Sequence, residues 1–311
     1  MLNAITNFFM VLLSLLTIEP NKINEYKKQF ETINYGLKVD VDGHNMSVVI
    51  AGDQHDQIIV FLPALGAVAP YISYKSFTES LSENFKVISI EPFGYGLSDV
   101  TEKERTNENI VSEIHTCLQK LGVNRFYFMG HSIGGFYSLA YAEKYPDEVL
   151  GFIGLDNTPN NVEEIIEPES VDQTIENTIS RIKAKYHLWV FASEEEKQQN
   201  TVLDPNYKYT EEDMKNYDVI FRYTCTSENC VDEYERLKSN MESLKNAHFK
   251  CPVLMFIASD TCKAYPTIWK QSHEAMITNL ENSEVIELEA SHMIHIDQKD
   301  YILKKVKEWI K

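Results

Sequence analysis

The feature that most constrains this chain is Gly130-His131-Ser132-Ile133-Gly134, set between two apolar runs. Phe126 to Met129 reads as a buried strand, and Phe136, Leu139, Ala140 and Tyr141 read as the buried face of a helix. A G-x-S-x-G on a strand-to-helix junction makes a sharp turn with the serine at its apex. A side chain at Gly130 or Gly134 would strike the neighbouring strand or helix, and Ser132 must take a strained backbone conformation. The strain lifts the Ser132 hydroxyl to the top of a sheet. The Ile133 N–H, at the start of the helix, then points toward any negative charge that develops there. A third glycine, Gly135, leaves room for close helix–strand packing.

Around this turn, strand and helix patterns alternate. Tyr35 to Val39 and Met46 to Ile50 flank Asp42-Gly43, a hairpin signal. Gln57–Leu62, Phe85–Ile90, Val149–Leu155, Cys251–Ala258 and Glu284–Leu288 are short apolar runs of buried-strand type. Ile110, Val111, Ile114, Cys117, Leu118 and Leu121 have helical spacing, with Thr106 as N-cap and Gly122 as stop. The last helix presents Ile302, Leu303, Val306, Trp309 and Ile310. Alternation of this kind predicts an α/β fold, a doubly wound and mostly parallel sheet joined by right-handed crossovers. From about Asn160 the glycines vanish, and charged and amide residues interleave with Ile, Tyr, Leu and Met, the texture of an inserted helical cap. The predicted organisation is a hydrophobic N-terminal segment over 1–20, a first core part over 21–159, a helical cap over 160–247 and a second core part over 248–311. Trp189, Tyr207, Tyr209, Tyr217, Phe221 and Tyr223 either line a pocket under the cap or hold the cap together.

The length of 311 residues suits one large domain with an insertion, and 43% hydrophobic residues suffice for its core. A net charge of −18 disfavours nucleic acid and anionic lipid as charge-driven partners. The five cysteines have no metal-finger spacing. Cys225 and Cys230 are either a pair formed in an oxidising compartment or two free thiols. No metal-ligand spacing and no phosphate loop is visible, and Gly94-x-Gly96 lacks the rest of a dinucleotide fingerprint, so neither metal nor cofactor is expected. Met1 to Ile18 carries no charged side chain, and Lys22, Lys27 and Lys28 follow it. The run is short for a membrane span and lacks a basic leader and a cleavage site. It reads as an N-terminal anchor that associates with membrane through residues 1–18, or as a hydrophobic helix packed on the protein. Apart from that segment the body is expected on the cytoplasmic side. The sequence is silent on oligomeric state.

A serine hydroxyl becomes a competent nucleophile only when a base takes its proton and a carboxylate orients that base. Ser132, Asp260 and His292 each follow a strand, so in a parallel sheet all three lie at its C-terminal edge. Their chain order, together with Gly130–Gly134, the loop Glu91-Pro92-Phe93-Gly94-Tyr95-Gly96-Leu97-Ser98-Asp99 and the loop Ser291-His292-Met293-Ile294-His295, resembles the α/β-hydrolase superfamily from about residue 36 onward. Within it the chain is similar to the lid-bearing serine hydrolases, such as esterases, prolyl aminopeptidases and C–C bond hydrolases. The resemblance implies Ser132 as nucleophile, His292 as base and Asp260 as acid. It also implies the Ile133 and Leu65 N–H groups as oxyanion donors.

Two departures stand out. Pro63-Ala64-Leu65-Gly66 replaces the usual His-Gly-x-Gly, and Asp260 follows Ile257-Ala258-Ser259 rather than Gly-x-x-Asp. Asp156 also ends a strand and competes with Asp260, and His295 competes with His292. The variable elbow residue, His131, reads as structural, Asp99 reads as a loop acid, and Glu91 ends a strand near the site with its role open. The function expected is hydrolysis of a carboxylic ester or related acyl bond in a small-molecule substrate. The rivals are an aminopeptidase, whose substrate amine would be held by cap acids such as Glu163, Glu164 and Glu167, a C–C hydrolase, or a hydrolase-like ligand-binding protein without turnover.

Overall fold

A computed structural model describes residues 6, 19–161, 170–279 and 281–310. The N-terminal anchor expected over 1–18 therefore falls almost wholly outside the described residues, as do Glu163, Glu164 and Glu167. Among the described residues, no helix is long and apolar enough to cross a membrane.

Eight strands form one sheet: β1 (Leu37–Val41), β2 (His44–Ala51), β3 (Ile58–Leu62), β4 (Lys86–Glu91), β5 (Phe126–His131), β6 (Val149–Leu155), β7 (Val253–Ala258) and β8 (Glu284–Leu288). Their order is β1-β2-β4-β3-β5-β6-β7-β8. The β1–β2 and β2–β4 pairs are antiparallel, and every other pair is parallel. Asp42 and Gly43 both have positive φ, the conformation a two-residue hairpin turn requires between β1 and β2.

Period-two alternation divides the sheet into two buried faces. Val60, Leu62, Phe126 and Phe128 pack with Ile110, Ile114 and Phe136 from the helices Asn107–Lys120 and Ile133–Lys144. Ile59, Phe61, Met129 and Ile153 pack on the opposite face with Phe77, Ile302 and Val306 from Lys75–Ser82 and Lys299–Trp309. Thr106 caps its helix as expected, its hydroxyl accepting from the Asn109 N–H. With both faces covered and the middle strands parallel, ligand-binding residues belong at the strand C-termini.

The segment between β6 and β7 contributes helices at Val171–Lys185, Glu194–Gln199, Glu211–Thr224, Glu228–Glu235 and Leu237–Ser243. It is tied to the sheet edge by polar contacts. Asn240 and Asn229 bond the 101–107 stretch, and Lys75 pairs with Asp213 at 2.8 Å. Glu233, fully buried, accepts from Tyr95 at 3.0 Å and from Tyr137 at 2.8 Å. Trp189, Tyr217 and Phe221 form an apolar cluster with Ile72 and Leu97, so these aromatics serve mainly to seat the segment. The helix Pro20–Thr32 adds Phe30 to this cluster. All five cysteines are free thiols, Cys225 and Cys230 included.

Candidate active site

Ser132 sits at φ 52° and ψ −124°, between β5 and the helix that starts at Ile133. This is the strained apex that the glycines predict. A Cβ on Gly130 would lie 2.4 Å from the Gly135 nitrogen, and one on Gly134 would lie 2.5 Å from the Leu62 carbonyl oxygen. The turn is held from the next strand as well, since Ser132 N–H donates to the Leu155 carbonyl and its own carbonyl accepts from Thr158.

His292 lies beside this turn. Its carbonyl accepts from His131 Nε2 at 2.8 Å, and the two imidazole rings are 4.7 Å apart. His292 Nδ1 is 2.7 Å from Asp156 Oδ2, and the Asp156 side chain is completely buried. Asp156 leaves the end of β6 at φ 42°, which turns its carboxylate inward. Ala258 N–H at 2.9 Å and Trp269 Nε1 at 3.0 Å donate to Oδ1, while the Thr261 hydroxyl donates to Oδ2 at 2.6 Å. Burial alone raises the carboxyl pKa, but the bonds from His292, Ala258 and Thr261 outweigh it, and Asp156 is held below the ordinary carboxylate value.

Asp260, the acid expected from the sequence, is not brought to His292. A helix, Ser259–Ala264, begins immediately after β7 and carries Asp260 in its first turn. There the carboxylate pairs with Lys263 at 2.8 Å and is 61% exposed, directed to solvent rather than to His292. The competing acid at the end of β6 faces the histidine instead. His295 makes no hydrogen bond to Asp156 among the described residues. It is buried, its ring centroid lies 4.6 Å from Tyr74 and 4.8 Å from His131, and burial, with His292 nearby, pushes its pKa down to about 3.

The loop after β3 closes the other side. Ala64 N–H donates to the Tyr74 hydroxyl at 3.1 Å and Gly66 N–H to the Tyr95 hydroxyl at 3.4 Å. The Leu65 N–H between them makes no hydrogen bond among the described residues, and neither does the Ile133 N–H. Both amides expected to receive an oxyanion are thus uncommitted. The Ser132 hydroxyl also has no hydrogen-bond partner among the described residues. In free enzymes the bond between nucleophile and base is often long and tightens only with substrate.

The residues that reading the sequence missed are those that position others. Thr261 and Trp269 hold Asp156, and Tyr74 bonds His131 Nδ1 at 2.7 Å. Glu91 is the fully buried anchor of its loop, accepting from Leu97 N–H at 2.9 Å, Tyr71 N–H at 3.1 Å and Tyr35 at 3.0 Å. Asp99 is a loop acid as expected, accepting from Asn45 N–H at 2.7 Å. Among the described residues no group of side chains is arranged to hold a metal ion.

Comparison with known proteins agrees with this fold. A family model described as "alpha/beta hydrolase fold" matches residues 57–299. An uncharacterized protein, YbdG of Bacillus subtilis (strain 168), is 26% identical over 290 residues, 89% of this chain and 86% of the relative. The human (lyso)-N-acylphosphatidylethanolamine lipase is 28% identical over 112 residues, a third of each chain. Among solved structures, Cfl2 of Burkholderia cenocepacia superposes with a TM-score of 0.66 at 17% identity, covering 88% of this chain and 95% of that one. An epoxide hydrolase of Vigna radiata, VrEH1, superposes with a TM-score of 0.65 at 17% identity, covering 89% and 97%.

Proposed function

Because the chain belongs to the alpha/beta hydrolase fold family, we propose that it is a serine hydrolase cleaving a carboxylic ester or related acyl bond, with Ser132, His292 and Asp156 as its triad. The observation that carries this reading is the His292–Asp156 pair, 2.7 Å apart, delivered beside a serine in strained backbone. The hydrolase and lipase names of its relatives support hydrolysis as the reaction type.

Ser132 Oγ attacks the carbonyl carbon while His292 Nε2 takes its proton. Asp156 on Nδ1 fixes the tautomer that leaves Nε2 free to accept, and it stabilises the imidazolium that forms. The carbonyl oxygen, now negative, is received by the Ile133 and Leu65 N–H groups, the first at a helix start. Collapse expels the alcohol, protonated by His292, and leaves an acyl-Ser132. Water, deprotonated by the same imidazole, then releases the carboxylic acid and restores the serine. The segment from 160 to 247 acts as a cap that shapes the acyl site, and residues 1–18 attach the enzyme to membrane.

The test is labelling by a small fluorophosphonate with peptide mapping, beside hydrolysis of p-nitrophenyl butyrate. Label on Ser132 is expected, with both label and turnover lost in a folded Ser132→Ala variant. Near-wild-type hydrolysis by that variant would remove the nucleophile from the proposal.

A further inference from the structure

A cavity of about 100 Å³ lies between the loop after β3 and the histidine loop. Leu65 and Ala67 line it from the first, Met293 and His295 from the second, and Val202 and Tyr217 from the segment between β6 and β7. We propose that this cavity takes the acyl group of the substrate, and that the substrate is a neutral ester whose acyl chain has no more than about four carbons. The inference rests on the serine hydrolase reading above and adds the substrate class to it.

Position is the first argument. Leu65 carries an uncommitted N–H, and Met293 follows the proposed base directly in the chain. Ser132, Ile133 and His292 lie outside the lining, so a carbonyl whose oxygen rests on Leu65 and Ile133 would extend its carbon chain into this cavity past Leu65 and Met293. Size is the second. A cavity of about 150 Å³ holds a six-carbon ring, so about 100 Å³ accommodates roughly four carbon-sized atoms. Rigidity is the third. Tyr217 is fully buried in the cluster of Ile72, Trp189 and Phe221, so it stands as a fixed barrier. Val202, by contrast, is 38% exposed and marks the side toward solvent. A longer chain must displace Tyr217 or leave its tail in water. Charge is the last. The described residues of the lining include no carboxylate, lysine or arginine, and His295 is neutral in its buried position. The site is therefore built for an uncharged group.

The experiment compares kcat/KM for p-nitrophenyl acetate, butyrate and octanoate, and for alanine p-nitroanilide, using the full chain. Each variant is also checked for labelling of Ser132 by a small ethyl fluorophosphonate. Wild type is expected to prefer butyrate over octanoate by at least about tenfold and to spare the anilide. Ala67→Leu, which fills the cavity, should lower the butyrate-to-acetate ratio about tenfold with labelling intact. Tyr217→Ala should move the optimum toward octanoate. If that variant fails to fold, Val202→Ala should give the same shift on a smaller scale, about two- to threefold. A labelled wild type that prefers octanoate or the anilide, or ratios untouched by the variants, overturns the acyl-pocket assignment and leaves the serine hydrolase standing. A folded wild type that takes no label overturns both.

Discussion

The Tyr74 hydroxyl lies 2.7 Å from His131 Nδ1, and the far side of the imidazole fixes which of the two donates. The His292 carbonyl, 2.8 Å from His131 Nε2, can only accept, so Nε2 carries the proton. Nδ1 is then bare and accepts from Tyr74, whose oxygen in turn accepts from the Ala64 N–H at 3.1 Å. One directed chain of hydrogen bonds thus joins the loop after β3, the elbow and the histidine loop. Burial, with His295 and His292 adding to it, keeps the His131 pKa well below 6.5, so the chain persists in one protonation state.

Tyr74→Phe keeps the ring and deletes the hydroxyl, leaving Ala64 N–H and His131 Nδ1 unpaired while the proposed triad stays intact. Losing an oxyanion donor outright costs about 10²- to 10³-fold in kcat, so loosening the loop that presents Leu65 should cost less, about tenfold. The expected result is a kcat reduced to that extent with KM nearly unchanged, measured on p-nitrophenyl butyrate. Full kcat with lowered melting temperature would reduce the chain of bonds to a packing feature.

The two acids make opposite predictions. Asp156→Asn presents the wrong partner to His292 Nδ1 and should cost about 10⁴-fold in kcat at a largely unchanged fold. Asp260→Asn removes a solvent-facing pair with Lys263, which water and salt screen, and should leave kcat/KM within about twofold of wild type. A dead Asp260→Asn beside an active Asp156→Asn would restore the order expected from the sequence.

That reversal marks where the sequence stops being legible. The strands, the elbow and the histidine loop are local patterns of apolar runs and glycines, and they appear where the sequence puts them. The acid is a choice between two strand ends that look alike in one dimension. What separates them is the positive φ of Asp156, which turns it inward, and the helix that opens at Ser259 and carries Asp260 outward. The i, i+3 spacing of Asp260 and Lys263 is the single cue in the chain, and it reads as easily as an ordinary surface pair. Tyr74 left no signal at all, because its partner is 57 positions away.

Stability should fall on mild acidification. His131, His273 and His295 are buried and neutral, each with its pKa pushed below 6.5, burial being the largest cause. The unfolded chain binds a proton at each of them as pH drops through 6.5, whereas the folded chain does not. Their contribution is therefore complete above 6.5 and declines below it. Glu91, Glu113 and Glu233, raised by burial, slope the other way, so the cleanest reading is a difference. With His295 at about 3, His295→Phe should remove about 2 kcal/mol of the loss between pH 6.5 and pH 5, measured by urea unfolding. Identical pH dependence in the two proteins would mean that His295 is protonated in the fold.

The two histidines of the last loop should separate chemistry from packing. His292 is 38% exposed and bonded through Nδ1 to Asp156, and its carbonyl is held by His131 of the serine turn. His295 is 2% exposed, wedged against Tyr74, Phe77 and His131. Its Nδ1 is buried with no hydrogen-bond partner, so it gains little from its polarity and acts as a flat packing group. Removing the base should cost several powers of ten in kcat, because serine is then barely activated. His292→Ala is therefore expected to lose ester turnover and keep its melting temperature. His295→Ala opens a void, which costs a buried aromatic about 3–5 kcal/mol, and the relief of an unpaired nitrogen returns about 1–3 of that. A net loss of about 2 kcal/mol, or roughly 4 °C in melting temperature, should accompany turnover within about tenfold of wild type. An active His292→Ala enzyme beside a dead, well-folded His295→Ala would exchange the two roles.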